Sequence, residues 1–284
     1  LEPGDTVRID TGTYNLTSDI TVDAADGGSA AAQVTFEASP YGVTIDRQNT
    51  ASGECWHIGA PYVLLTTATS TKYPGAAQSW MRVTGARNGI GIGAHCCTVR
   101  RCDVCDNPGI GIGGYNVLNT VVENSVVRGA SDSSDGMGIK VYFAYGHGNQ
   151  SLTVRNCTIY GNAKWGIYCS DGYGTYRNNI IWADGAGARA ARANGLNATD
   201  YNDYYLTNGA AIGHNGAPGP TLADWQSGTG EDAHSISADP LFADAAGGDF
   251  HLKSTAGSYH GGAWTPNAAN SPCLDAGAGD AGTE

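Results

Sequence analysis

The chain has 284 residues, 41% hydrophobic and only 15% charged, a balance that suits one compact unit or one repeat array and excludes a disordered polymer. Its 27 acidic against 15 basic residues give a formal charge of −12, which argues against nucleic acid as a partner, because sequence-independent affinity for phosphate needs dense Lys and Arg contacts. No run of about 18 apolar residues occurs, so no membrane insertion is expected.

The opening Leu1-Glu2-Pro3-Gly4-Asp5 has no Met, basic n-region or apolar h-region, and reads as a processed form or an excised piece. Eight cysteines are too sparse for a disulfide scaffold, although their even number permits bridges in an oxidising compartment. Cys96, Cys97, Cys102 and Cys105 invite a zinc reading, which is disfavoured because four-thiolate sites usually draw on two separated hairpins.

Four segments then align: VRRCDV from Val99, VVENSV from Val121, VRNCTI from Val154 and YRNNII from Tyr176. A turn and a second short strand follow each one: Gly109-Ile110-Gly111-Ile112, Gly138-Ile139-Lys140-Val141, Gly166-Ile167-Tyr168-Cys169 and Gly187-Ala188-Arg189-Ala190, with Gly89-Ile90-Gly91-Ile92 before them. Val104 to Val126 and Ile159 to Ile181 span 22 residues each, Ile181 to Tyr204 spans 23, and Val126 to Ile159 spans 33. Short β-branched strands at this period, broken by Gly, Asn and Asp turns and lacking helical spacing, predict parallel strands wound into a solenoid. The recurring polar position Cys102, Asn124, Cys157, Asn179, Asn202 reads as a tight bend where Asn tolerates left-handed angles and bonds its equivalent in the next coil. Cys102 and Cys157 then sit two coils apart, roughly 9 to 10 Å, too far for a disulfide.

From Leu206 to Ser237 the period breaks, predicting a long loop or cap, with Trp225 and Trp264 as core; residues 238–284 are expected to form a C-terminal coil and cap of the same single domain.

PGDTVRIDTGTY (Pro3 to Tyr14), VRNCTIYGN, ADPLFADAAGGDFHLKS and SPCLDAG together resemble the right-handed parallel β-helices of the polysaccharide lyase, or pectate lyase-like, superfamily. The resemblance covers most of the chain and implies an all-β solenoid, secreted or at the cell surface, acting on an anionic uronic-acid polysaccharide. The same coils serve lyases, hydrolases, epimerases and non-catalytic stalks, so activity must be read from side chains.

Residues flanking a buried Ile point outward, and stacking turns equivalent positions into a column, here Gly91, Gly111, Lys140, Tyr168, Arg189. Long turns flank the Lys140 strand, Arg128 to Met137 before it and Tyr142 to Gln150 after it, and such turns on a rigid scaffold usually carry sites. Tyr142, Phe143, Tyr145 and Trp165 offer flat faces for sugar rings, with His147 and His95 at turns beside them. β-Elimination needs a base, a carboxylate clamp and a proton donor, which Lys140, Arg189 and Tyr168 supply in that order. Some lyases of the family place a Lys base and an Arg on successive coils; Tyr168 stands on the rung where that Arg is expected. Asp132, Asp135 and Asp171 are candidate ligands for Ca²⁺, a common uronate bridge in such lyases, although Asp-rich runs are also ordinary turns. A second column of Arg100, Arg155 and Arg177, interrupted by Val122, is expected to pair with nearby carboxylates.

Three functions remain open on sequence. The first is a lyase; the second is a glycoside hydrolase, which needs two carboxylates that this column lacks, or an epimerase sharing the same base. The third is a non-catalytic β-helical module that binds carbohydrate or acts as a spacer.

Overall fold

The computed structural model describes residues 1–69, 79–142, 151–170, 172–192, 195–196, 198–215, 217–260 and 262–279. Its parallel strands stack coil on coil into three faces. One face is an eight-stranded sheet running Thr6–Ile9, Val34–Ala38, Val63–Thr67, Thr98–Arg100, Thr120–Glu123, Ser151–Arg155, Tyr173–Arg177 and Gly195–Leu196. The other two are arms of a 15-stranded sheet, one from Cys102–Cys105 to Asp203–Thr207 and one from Ile110–Tyr115 to Ala211–Asn215. The long strands Val43–Ile58 and Met81–Ile92 bend across both arms and join them. The molecule is a parallel β-helix, and parallel crossovers take the right-handed path.

Inside, rows of equivalent residues close the core: Val99, Val122, Val154 and Tyr176 on one face, Val104, Val127, Ile159, Ile181 and Tyr204 on the next, Ile90, Ile112, Ile139 and Ile167 on the third, all at most 1% exposed. Val122 and Val127 point inward, whereas Val121 and Val126 do not. The register therefore differs by one residue from the alignment VVENSV; the segment that fits is Val122 to Val127. The sequence VVENSVV carries a valine pair at each end and satisfies either frame, and only burial of one face selects between them.

That shift divides the expected polar column in two. The left-handed residues are Arg101, Asn124, Asn156, Asn178 and Tyr201, at φ of 51°, 47°, 54°, 56° and 59°. The buried row beside them is Cys102, Ser125, Cys157, Asn179, Asn202 and Ser235, so Asn124 belongs to the bend and Ser125 to the ladder. In this row the Cys102 amide donates to Ser125 Oγ (3.2 Å), Cys157 to Asn179 Oδ1 (3.0 Å), Asn179 to Asn202 Oδ1 (3.1 Å) and Asn202 to Ser235 Oγ (2.8 Å). All eight cysteines are free, and burial pushes the Cys157 thiol up to about 12 and the Cys97 thiol up to about 11.

The arginine column is likewise interrupted by Glu123 and not by Val122. Arg100 Nε and Arg155 Nε donate to the two oxygens of the buried Glu123 carboxylate at 2.5 and 2.6 Å. Burial pushes this carboxyl up, but hydrogen bonds from Arg155 and Arg100 outweigh burial and leave it below its ordinary value.

Residues 206–237 are more ordered than a loop. They add the strand Ala211–Asn215, an antiparallel partner Ala217–Gly219 and the helix Leu222–Thr229, opened by a Thr221/Asp224 capping box. Trp225 is 2% exposed, and its indole donates to Asp232 at 2.8 Å, closing the solenoid end. Trp264, in contrast, is 66% exposed on a terminal hairpin and is not core.

Segment 271–279 docks against the last coils, with Cys273 Sγ donating to Asp203 Oδ2 at 3.1 Å. Burial pushes the Asp203 carboxyl up to about 6 despite the Ala238 amide at 3.0 Å. The folded protein thus holds this proton more tightly than the unfolded chain, so stability should fall as pH rises from the ordinary carboxylate range to about 6, then level off. Asp203→Asn should remove that slope and raise the Tm at pH 7.5, measured by calorimetry across pH. Asn179→Ala strips a ladder member that also donates to Val154 O at 2.9 Å, and should cost about 1–3 kcal/mol in denaturant unfolding.

Candidate functional site

On the third face, each coil presents two inward residues between two outward ones, giving two outward columns. Backbone pairing builds the first as His57, Gly91, Gly113, Lys140, Tyr168, Arg192. Met137, Trp165 and Arg189 build the second. Lys140 and Tyr168 occupy adjacent rungs as expected, but Arg189 pairs with Trp165 and Ala211, and Arg192 takes the rung after Tyr168. Gly111 is likewise replaced by Gly113. Both differences have one cause: GIGIGG repeats every two residues and RAAR carries arginine at either end, so neither string fixes its own register.

Glycine makes this stacking feasible. A Cβ on Gly111 would lie 2.6 Å from the Gly138 carbonyl oxygen, and one on Gly138 would lie 2.7 Å from that of Gly166.

Over Gly91 and Gly113 runs a groove of about 470 Å³. One wall is the stacked pair Tyr115 and Tyr142, with centroids 5.5 Å apart and planes within 8°. The other holds Ile110, Asn88 and Glu54, and the ends are His57 and Lys140. The Glu54 carboxylate lies over Gly91, where a Cβ would collide with it, and Oε2 meets His57 Nδ1 at 2.9 Å. Beyond Lys140, the Arg192 guanidinium lies 4.9 Å from the Tyr168 ring centroid and donates from Nη1 to its hydroxyl at 2.8 Å. The buried Arg192 Nε has no partner among the described residues. Trp165 packs edge-on against Tyr168, and a second recess of about 500 Å³ opens between Trp165, Arg189, Arg192 and Pro220.

The anticipated acidic ligands are engaged locally. Asp135 Oδ1 accepts from Lys140 Nζ at 2.9 Å, and Asp132 accepts from Ser134 Oγ at 2.6 Å and Arg87 at 2.7 Å, bonds that hold the Asp132 carboxyl well below the usual carboxylate range. Among the described residues no group of three or more His, Cys, Asp or Glu converges as a metal site. Phe143, Tyr145, His147 and Asp171 lie outside the described residues. His95 lies at a turn, where its Nδ1 accepts from the Leu118 amide at 3.0 Å.

Sequence reading missed Glu54, His57, Tyr115 and Arg192. The signal for His57 was present: Trp56-His57-Ile58 pairs with Ile90-Gly91-Ile92 and continues the column one coil earlier.

Fold and face together define a β-helix protein with a grooved, aromatic and partly cationic side. The chain belongs to the disaggregatase-related family, whose model matches residues 106–277. No curated protein matches it. Among solved structures it is similar to an alginate lyase from Paenibacillus sp. str. FPU-7, at 14% identity and a TM-score of 0.44 over 75% of this chain and 92% of that one. It is also similar to the pectate lyase Pel9A, at 12% identity and a TM-score of 0.47 over 93% and 87%. The chemistry is read from the site's own residues.

A Cβ at Gly113 meets nothing nearer than Ile110 Cγ2 at 3.3 Å. Gly113→Leu should therefore fill the groove and shift the Tm by only about 2 °C, whereas Gly138→Ala, which strikes backbone, should lower it by roughly 5 °C or more in thermal unfolding.

Proposed function

We propose that this face binds an anionic, uronate-type polysaccharide and cleaves it by β-elimination. The observation that carries the reading is the run Lys140, Tyr168, Arg192 on consecutive rungs between two recesses. At about 4.8 Å per rung, the three side chains span one or two sugar units. Arg192, on the rung after Tyr168, takes the carboxylate-clamping role first expected of Arg189, since a forked guanidinium neutralises the charge that develops beside C5.

Tyr168 accepts its hydrogen bond from Arg192, so its own O–H remains to be donated to the departing glycosidic oxygen. Lys140 takes the C5 proton. The C5–H electron pair becomes the C4–C5 double bond, the C4–O bond breaks, and the leaving oxygen gains the Tyr168 proton. Lys140 Nζ lies 2.9 Å from Asp135 Oδ1 in the resting protein, so this contact opens as the amine turns to the C5–H bond. Calcium bridging of substrate to protein, the role expected of Asp132 and Asp135, stays a secondary proposal, because these carboxylates are already taken by Arg87 and Ser134 and by Lys140. A family described as disaggregatase-related suits a protein that takes an aggregate apart, and cutting an anionic polymer does so. Such a substrate places the protein outside the cell, as a secreted or surface-bound form.

The Lys140–Asp135 ion pair also favours a second reading, in which the same face binds the polymer without turnover.

Incubation with a panel of polyuronates and glycosaminoglycans, with and without Ca²⁺, should release unsaturated products detectable by ultraviolet absorbance. Lys140→Ala, Tyr168→Phe and Arg192→Ala should each lower turnover about 100-fold or more, while Arg189→Ala stays within about threefold. Binding without product, unaffected by Lys140→Ala, supports the second reading.

A further inference from the structure

The face is electrostatically divided. Its cations begin at Lys140 and continue through Arg192 and Arg189, while two rungs earlier the Glu54 carboxylate lies across the groove at Gly91. Glu54 is held there by construction: Gly91 leaves the space its carboxylate fills, and His57 fixes Oε2. Oε1 has no hydrogen-bond partner among the described residues, and the Glu54 side chain is 24% exposed, so it confronts whatever lies over Gly91. The rest of this end is glycine floor and the Tyr115–Tyr142 wall, with no Lys or Arg among its lining residues before Lys140.

We infer that Glu54 is a specificity-determining residue that keeps carboxylated sugars out of the Gly91 subsite, so that the favoured polymer carries an uncharged sugar two units from the uronate bound at Lys140 and Arg192. This rests on the reading of the face as an anionic-polysaccharide site and names the charge pattern of its substrate. A sugar unit is comparable in length to one coil rise, so a homopolyuronate lying along the face would set a carboxylate against Glu54. Like charges facing each other across an interface are a strong discriminant. An uncharged ring instead stacks on the tyrosines and offers a hydroxyl or amide N–H to Oε1.

The test compares affinity for deacylated gellan, a linear polymer in which one sugar in four is a uronate, against polygalacturonate, in which every unit is charged. The full chain and its Glu54→Gln and Lys140→Ala variants are measured by affinity electrophoresis and calorimetry at fixed ionic strength. The wild type should prefer the sparsely charged polymer by about tenfold or more, and Glu54→Gln should tighten polygalacturonate about tenfold while changing gellan less than about twofold. Equal wild-type affinities, or a Glu54→Gln effect shared by both polymers, overturn the charge filter. If that equal binding is still lost in Lys140→Ala, the site assignment survives. Absence of binding to either polymer overturns both.

Discussion

Everything on the surface of this molecule depends on the buried side-chain ladder at one corner. A solenoid must turn sharply three times per coil, and each turn leaves amides that the next strand cannot satisfy. Here the row from Cys102 through Ser125, Cys157, Asn179 and Asn202 to Ser235 accepts several of those amides coil by coil, and Asp232 ends it by accepting from Asn202, Tyr204, Ser235 and Trp225. An amide left bare in a dry corner costs about 1–3 kcal/mol, so the row fixes where each coil bends. Where the coils bend decides which residues face solvent. The positions of Lys140, Tyr168 and Arg192 on one line follow from that corner as much as from their own strands.

The architecture was legible from period and composition because β-branched residues recur at a spacing that only stacked parallel strands satisfy. The finer register was legible only where a string breaks its own symmetry. Ile139-Lys140-Val141 and Ile167-Tyr168-Cys169 each place one polar residue between apolar ones, and both were assigned to the correct rung. VVENSVV, GIGIGG and RAAR read equally well in two frames, and burial chose the other one. Glu54 and His57 escaped for a different reason: they lie in Val43–Ile58, a long strand with register shifts that hide the repeat. Residue type alone puts Trp264 inside, whereas among the described residues nothing covers this terminal hairpin.

The face combines two kinds of order. Its floor is set by glycines whose missing Cβ atoms let backbone approach backbone and let Glu54 lie across Gly91. Its chemistry is set by side chains that restrain one another, Asp135 on Lys140, Arg192 on Tyr168 and Trp165 against Tyr168. A rigid floor with mutually held side chains suits the polymer-binding role proposed for it, because little freedom would be lost on binding.

On the opposite sheet, Arg100, Glu123, Arg155, Arg177, Asp200 and His234 stand one above another, with Glu123 shared by the arginines on either side and Asp200 meeting His234. The signs along this line make the coils non-interchangeable. Excising the Glu123 coil would set Arg100 beside Arg155 with no carboxylate between them and extend the adjacency that Arg155 and Arg177 already have, so loss of this one coil carries a charge penalty that loss of either neighbouring coil does not.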